Sequence, residues 1–161
     1  MKRGKKSSAG SSGWLLLLLG LMTALIVFLS GRSSFRPSQI SQLLESAGYS
    51  ARFAKMWIAV AQFETGNFTS WLFKNAKSLF GMGYPTYGID YGYVDSPEGK
   101  KSKYETYRQS IDDLIEYLAY AHYPKDVEGL KQLVTIMKDH NYYGGTIDAY
   151  YAGVNHYYQL L

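Results

Sequence analysis

The segment SARFAKMWIAVAQFETG, Ser50 to Gly66, decides how the rest of the chain is read. Ser50 is a residue type that caps helix N-termini, and Gly66 is a natural stop. Between them Phe53, Trp57, Val60 and Ala61 recur at helical spacing, which predicts a helix with one apolar stripe. Glu64 falls on that stripe, seven residues after Trp57, four after Val60 and three after Ala61. Phe63 and Phe68 crowd the same turn. An apolar environment disfavours the ionised form of a carboxyl and raises its pKa. The partial negative charge at a helix C-terminus acts in the same direction. A carboxylic acid that keeps its proton near neutral pH is what general-acid catalysis requires. The same spacing leaves open a Glu64 that turns to solvent or pairs with Lys74 or Lys77.

Working outward, Ile40, Leu43, Leu44 and Ala47 share one face of a helix that Gly48 ends. Thr69 to Asn75 predicts a short third helix. From Gly81 to Gln109 tyrosine and glycine are dense. Two extended runs, Thr86 to Val94 and Lys103 to Arg108, flank a turn at Ser96-Pro97-Glu98-Gly99-Lys100, which predicts a β-hairpin or a β-rich flap. Helices then return. Ser110 with Asp113 reads as an acidic capping box before Ile111, Leu114, Ile115 and Leu118. Asp126 caps a helix with Val127, Leu130, Val134 and Met137 inward. Thr146 opens the last helix, with Ile147, Tyr150, Tyr151, Val154 and Tyr158 along one face. The expected class is α+β, mainly α, with a small hairpin lobe.

The N-terminal part has a different character. Four cations precede a charge-free run of 16 residues, Trp14 to Leu29. That run is slightly under the ~20 residues of a typical membrane span but reaches with flanking anchors. Residues 14–30 are therefore expected to form a transmembrane signal anchor rather than a cleaved signal peptide, because no close small-x-small site follows. The basic bias places 1–13 in the cytoplasm as a basic tail and exports the rest. Residues 31–37 form a short linker to a domain spanning 38–161. The chain carries 17 basic and 13 acidic residues, six of the basic ones before Pro37 and all of the acidic ones after it. The domain thus has eleven basic against thirteen acidic residues, a net −2, which argues against a nucleic-acid face. There is no cysteine, so thiolate nucleophiles, disulfides and cysteine-ligated zinc are excluded. His122, His140 and His156 lack metal-ligand spacing, and no metal or other cofactor is expected.

Residues Trp57 to Met82, WIAVAQFETGNFTSWLFKNAKSLFGM, resemble the glucosaminidase family of peptidoglycan hydrolases. The likeness rests on Glu64-Thr65-Gly66, then Asn75, then Leu79-Phe80-Gly81-Met82. Downstream, Tyr104 to Ile111 is similar to the family's aromatic step into the next helix. Tyr143 and Tyr151-Ala152 are similar to its C-terminal Tyr…Tyr-Ala pair, at longer spacing. The resemblance covers roughly Ile40 to the C-terminus. It implies a lysozyme-like helical domain with a hairpin lobe, a sugar groove between them, and hydrolysis of the β-1,4 bond after N-acetylglucosamine in the peptidoglycan glycan strand. Glu64 matches the catalytic acid. The family's second carboxylate lies on the hairpin lobe, where Asp90, Asp95, Glu98 and Glu105 all fall; Asp95 is the first choice, near the end of the first extended run, and Glu105 the second. A substrate N-acetyl group can replace that carboxylate.

All 16 tyrosines follow Ser46, and flat rings with polar tips suit glycan faces. Trp71, Tyr84, Tyr87, Tyr91, Tyr93, Tyr107 and Tyr143 are the candidate sugar contacts; the spacing of Tyr91 and Tyr93 places them on one strand face, and the resemblance favours Tyr107 and Tyr143. Two other functions compete with the hydrolase: a lytic transglycosylase, and a non-catalytic wall-binding or envelope-assembly module.

Overall fold

The computed structural model describes residues 34–161; the predicted tail and membrane anchor, 1–30, lie outside the described residues. In chain order the elements are α1 (Ser38–Ser46), α2 (Ala51–Glu64), α3 (Trp71–Ala76), β1 (Tyr93–Ser96), β2 (Gly99–Ser102), α4 (Tyr107–Tyr120), α5 (Leu130–Asp139) and α6 (Ile147–Tyr158). The architecture among the described residues is mainly helical α+β, six helices and one antiparallel hairpin. None of those helices is long and apolar enough to cross a membrane.

Helix α2 is the axis of the domain. The Ser50 side chain accepts from the Phe53 N–H and starts it. Phe53, Ala54 and Met56 through Ala61 are all buried, so the helix is covered well beyond the stripe its sequence predicts. Helix α1 lies against α2 and α4, and α6 lies against α2 and α5. Around Trp57 the core is aromatic: its ring meets Phe80 at 5.8 Å and Tyr142 at 5.6 Å, both edge-on. Gly153 is the close contact of α6 with α2, because a Cβ there would overlap the Phe63 ring.

Helices α4 and α5 start elsewhere than predicted, whereas α6 opens after Thr146 as expected. Helix α4 begins one turn before Ser110, capped by a reciprocal pair in which Thr106 accepts from the Gln109 N–H and the Gln109 side chain accepts from the Thr106 N–H. Ser110 and Asp113 are instead buried on the inner face of α4. Asp126 does not cap α5, whose N-cap is Gly129. It accepts from the Ser50 hydroxyl at 2.6 Å and pairs with Arg52 at 2.7 Å, tying the α4–α5 connection to the start of α2. Helix α3 begins after Ser70, which accepts from the Phe73 N–H.

The hairpin is shorter than the two extended runs suggest. The turn falls at Pro97-Glu98 as expected, with Tyr93 opposite Ser102, Val94 opposite Lys101 and Asp95 opposite Lys100. Of the run Thr86 to Val94 only the last two residues are strand. Gly92 stands at φ +90°, and the Asp90 carboxylate accepts from its N–H at 2.7 Å, closing a local turn. The run Lys103 to Arg108 contributes no strand, because the α4 cap takes it over. The far edge of β2 is covered by the Met82–Tyr84 backbone, through Ser102 N–H to Met82 carbonyl (3.0 Å) and Tyr84 N–H to Lys100 carbonyl (3.1 Å).

Candidate active site

The end of α2, the Leu79-Phe80-Gly81 loop, the hairpin turn, the segment before α6 and α6 itself converge on one cavity of about 490 Å³. Glu64 lines it with Phe63, Gly81, Glu98, Lys101, Tyr143 and Tyr150, among others. Each wall has a local cause. Leu79 and Phe80 are core residues, and the loop is held by the Leu79 N–H on Ser110 Oγ (3.0 Å) and by the Tyr142 hydroxyl donating to the Phe80 carbonyl (2.7 Å). Asn75, part of the family likeness, donates to the Trp71 carbonyl within α3. Gly81 sits at φ +60°, and a Cβ there would lie 2.9 Å from Glu64 Oε2. Glycine is thus required at Gly81 by conformation and by the close approach of the carboxyl.

The Glu64 carboxyl is anchored by Tyr150, 86 residues away, whose hydroxyl donates to Oε1 at 2.5 Å. Burial pushes the Glu64 pKa up, and the Glu98 carboxylate adds to it; the Tyr150 hydroxyl and the Lys101 ammonium pull the other way. Burial above all, with the Glu64 carboxylate next, holds the Tyr150 proton on, so Tyr150 remains a donor. Neither Lys74 nor Lys77 is Glu64's partner: Lys77 donates to the Lys74 carbonyl and lies over the Tyr107 ring.

The hairpin presents Lys101 and Glu98 to the cavity. The Lys101 side chain is only 17 % exposed, and its Nζ reaches the Gly81 carbonyl and Glu98 Oε2, each at 3.1 Å. Strand parity explains why Asp95 is elsewhere. Asp95 pairs with Lys100, so it stands on the face opposite Lys101 and Val94. Glu105 is exposed just before the α4 cap and lines no part of this cavity. Asp90 accepts from the Tyr84 hydroxyl and the Gly92 N–H, and these bonds lower its pKa.

Of the predicted aromatic contacts, Tyr143 alone lines the Glu64 cavity among the described residues. Its ring stacks on Tyr150 at 3.8 Å, nearly parallel, and its hydroxyl donates to the Val134 carbonyl at 3.1 Å. Tyr107 stacks on Phe73 at 4.6 Å. Trp71 is exposed on α3. Tyr93 packs against Tyr84 and under the Lys100 ammonium, while Tyr91 lines a separate small cavity beside α4. The turn at Gly92 breaks the alternation that was expected to put those two rings on one face. Lys101, Tyr142 and Tyr150 are site residues the sequence did not single out. Tyr150 was legible as an inward residue of the last helix, but nothing local to it points to Glu64. Among the described residues no cluster of acidic and histidine side chains is disposed to hold a metal.

A second cavity, about 450 Å³, shares Phe80, Gly81, Lys101 and Tyr142 with the first and continues to Tyr87, Tyr117 and His140. No protein-family model, no curated protein and no solved structure matches the chain.

Proposed function

We propose that the chain is a membrane-anchored peptidoglycan hydrolase of lysozyme-like fold, cleaving the β-1,4 bond after N-acetylglucosamine with Glu64 as general acid. The observation that carries this reading is a carboxyl with a raised pKa, fixed by one neutral donor, in a cavity walled by aromatic rings. Tyr150 occupies Oε1, which leaves Oε2 to carry the proton beside Gly81. In the reaction that proton passes to the bridging glycosidic oxygen as the bond from it to the anomeric carbon breaks. The positive charge that develops on the sugar needs an anion or an internal nucleophile, and water completes the cleavage. Glu98 is the hairpin carboxylate that lines the same cavity, while Asp95 stands on the other face of the hairpin, and in this reading Glu98 takes the role of the second carboxylate. The substrate's own acetamido oxygen is the other group able to attack the anomeric carbon. Export of the domain by the 14–30 segment, with the wall as substrate, completes the proposal.

The test is a digest of purified peptidoglycan by the full chain in detergent, with product ends identified by mass spectrometry. Reducing N-acetylglucosamine ends are expected. Reducing N-acetylmuramic acid ends make the protein a muramidase, 1,6-anhydro ends make it a transglycosylase, and wall binding without any new ends leaves a binding module.

A further inference from the structure

Among the described residues Lys101 is the only cation that lines the Glu64 cavity. It belongs to a lysine-rich strand, and its neighbours Lys100 and Lys103 are exposed. The Lys101 side chain instead turns inward and is only 17 % exposed. Taking an ammonium out of water is costly unless acceptors replace the water. Two do: the Gly81 carbonyl and Glu98 Oε2, each at 3.1 Å.

The two members of the Lys101–Glu98 pair are unequally placed. The Glu98 side chain is 80 % exposed, so the cation is the fixed member and the carboxylate the accessible one. An ion pair with one member in water adds little to stability, so stability does not account for a lysine turned inward here. The main chain of Glu98 is held as well: Ser96 Oγ accepts from the Glu98 N–H at 3.2 Å and donates to the Gly99 carbonyl at 2.8 Å. Turn bonds thus fix where the Glu98 side chain begins, and Lys101 fixes where it ends. Among the described residues no other cation pairs with Glu98.

The second contact of the ammonium leads to Glu64. Gly81, whose carbonyl it holds, is the residue against which Glu64 Oε2 lies. The Lys101 main chain is also bridged to Gly83, so the hairpin is fastened to this loop by backbone and side chain together. One side chain therefore connects the loop beside the acid to the carboxylate at the hairpin turn. The polar groups facing Glu64 are the Tyr150 hydroxyl from α6, Tyr142 and Tyr143 from the segment before α6, and Lys101 and Glu98 from the hairpin. Burial raises the Glu64 pKa and the Tyr150 bond lowers it; of the two full charges, Lys101 lowers it and Glu98 raises it.

We propose that Lys101 is a positioning residue, which stands on the Gly81 carbonyl and holds the Glu98 carboxylate over the cavity at a set place relative to Glu64. Without the ammonium the Glu98 side chain turns to water. That the held carboxylate serves glycan cleavage rests on the hydrolase reading; the holding itself does not.

The experiment follows the carboxyl carbon NMR signal of Glu64, identified by its loss in Glu64→Gln, through a pH titration of the full chain in detergent. With Lys101 in place, Glu98→Gln is expected to move the Glu64 midpoint to lower pH, because a like charge is removed. With Lys101→Met, a neutral side chain of similar length, Glu98→Gln is expected to leave the midpoint unmoved. The same downward shift in both backgrounds, or none in either, overturns the inference. The chain has no cysteine, so Lys101→Cys alkylated with bromoethylamine puts an ammonium back at this site alone. That adduct is expected to restore the dependence on Glu98, and the neutral iodoacetamide adduct is not; restoration by both overturns the inference, since packing then holds Glu98. In peptidoglycan digests Lys101→Met is expected to lower kcat by about tenfold with KM little changed. It is expected to add nothing to the loss in Glu98→Gln, and losses that multiply overturn the inference. A titration cycle as expected, in a chain whose unsubstituted form releases no reducing ends, sinks the hydrolase reading and leaves the positioning role standing.

Discussion

At the scale of single residues, Glu64 is held against its own ionisation. Its folded pKa lies above the ordinary 4.5, chiefly through burial. As pH rises from about 4, the unfolded chain releases this proton before the folded one does, so wild-type stability falls across the window up to the folded pKa. Glutamine does not ionise and can still accept from Tyr150. The Glu64→Gln protein is therefore expected to melt higher than wild type at neutral pH, with the gap closing as pH approaches 4; calorimetric melting temperatures across that range check it, and a gap independent of pH contradicts it. Gly81 makes the complementary prediction. Gly81→Ala combines a left-handed φ with a Cβ 2.9 Å from Glu64 Oε2. It is expected to lower stability by about 1–2 kcal/mol and to reduce glycan cleavage more than that loss explains, since the carboxyl must move. Denaturant melts paired with rate measurements separate the two effects.

At the scale of elements, the site depends on how α6 meets α2. Gly153 faces the Phe63 ring, and that ring meets Tyr150 edge-on at 5.1 Å. Gly153→Ala forces the helices apart and is expected to cost about 1–3 kcal/mol by overpacking; Phe63→Leu in the same chain is expected to recover much of it, and urea melts of the single and double variants test this. The other end of α2 is fastened by Asp126, whose pKa is lowered to about 2, first by Arg52 and then by Ser50. A depressed carboxyl stabilises the fold above its unfolded pKa and ceases to as pH falls through its folded one. Asp126→Asn is thus expected to lower stability at neutral pH and to differ little from wild type near pH 2, as read by melts between pH 2 and 7. The elements themselves were unevenly legible. Ser50, Gly48, Thr146 and the Pro97-Glu98 turn are local signals and fall where the pattern places them. The start of α4 is ambiguous in the sequence because two capping pairs, Thr106 with Gln109 and Ser110 with Asp113, sit four residues apart and the second has a tertiary use.

At the scale of the whole molecule, Glu64 was legible because its position on an apolar stripe is a property of one helix. Its surroundings were not: Tyr150 lies 86 residues away, and Glu98 reaches the cavity from a turn, where no strand parity applies. Asp95 shows the limit most plainly, since a hairpin that begins at Tyr93 fixes a parity that a run beginning at Thr86 leaves undefined. In the function proposed for this chain, that one carboxyl supplies the proton for breaking a glycan strand. The deciding comparison is the rate of reducing-end release from purified peptidoglycan for the full chain and for its Glu64→Gln form, at equal folded concentration. A loss of about 10²–10⁴-fold in the variant is predicted; equal rates, or no release by either protein, contradict it.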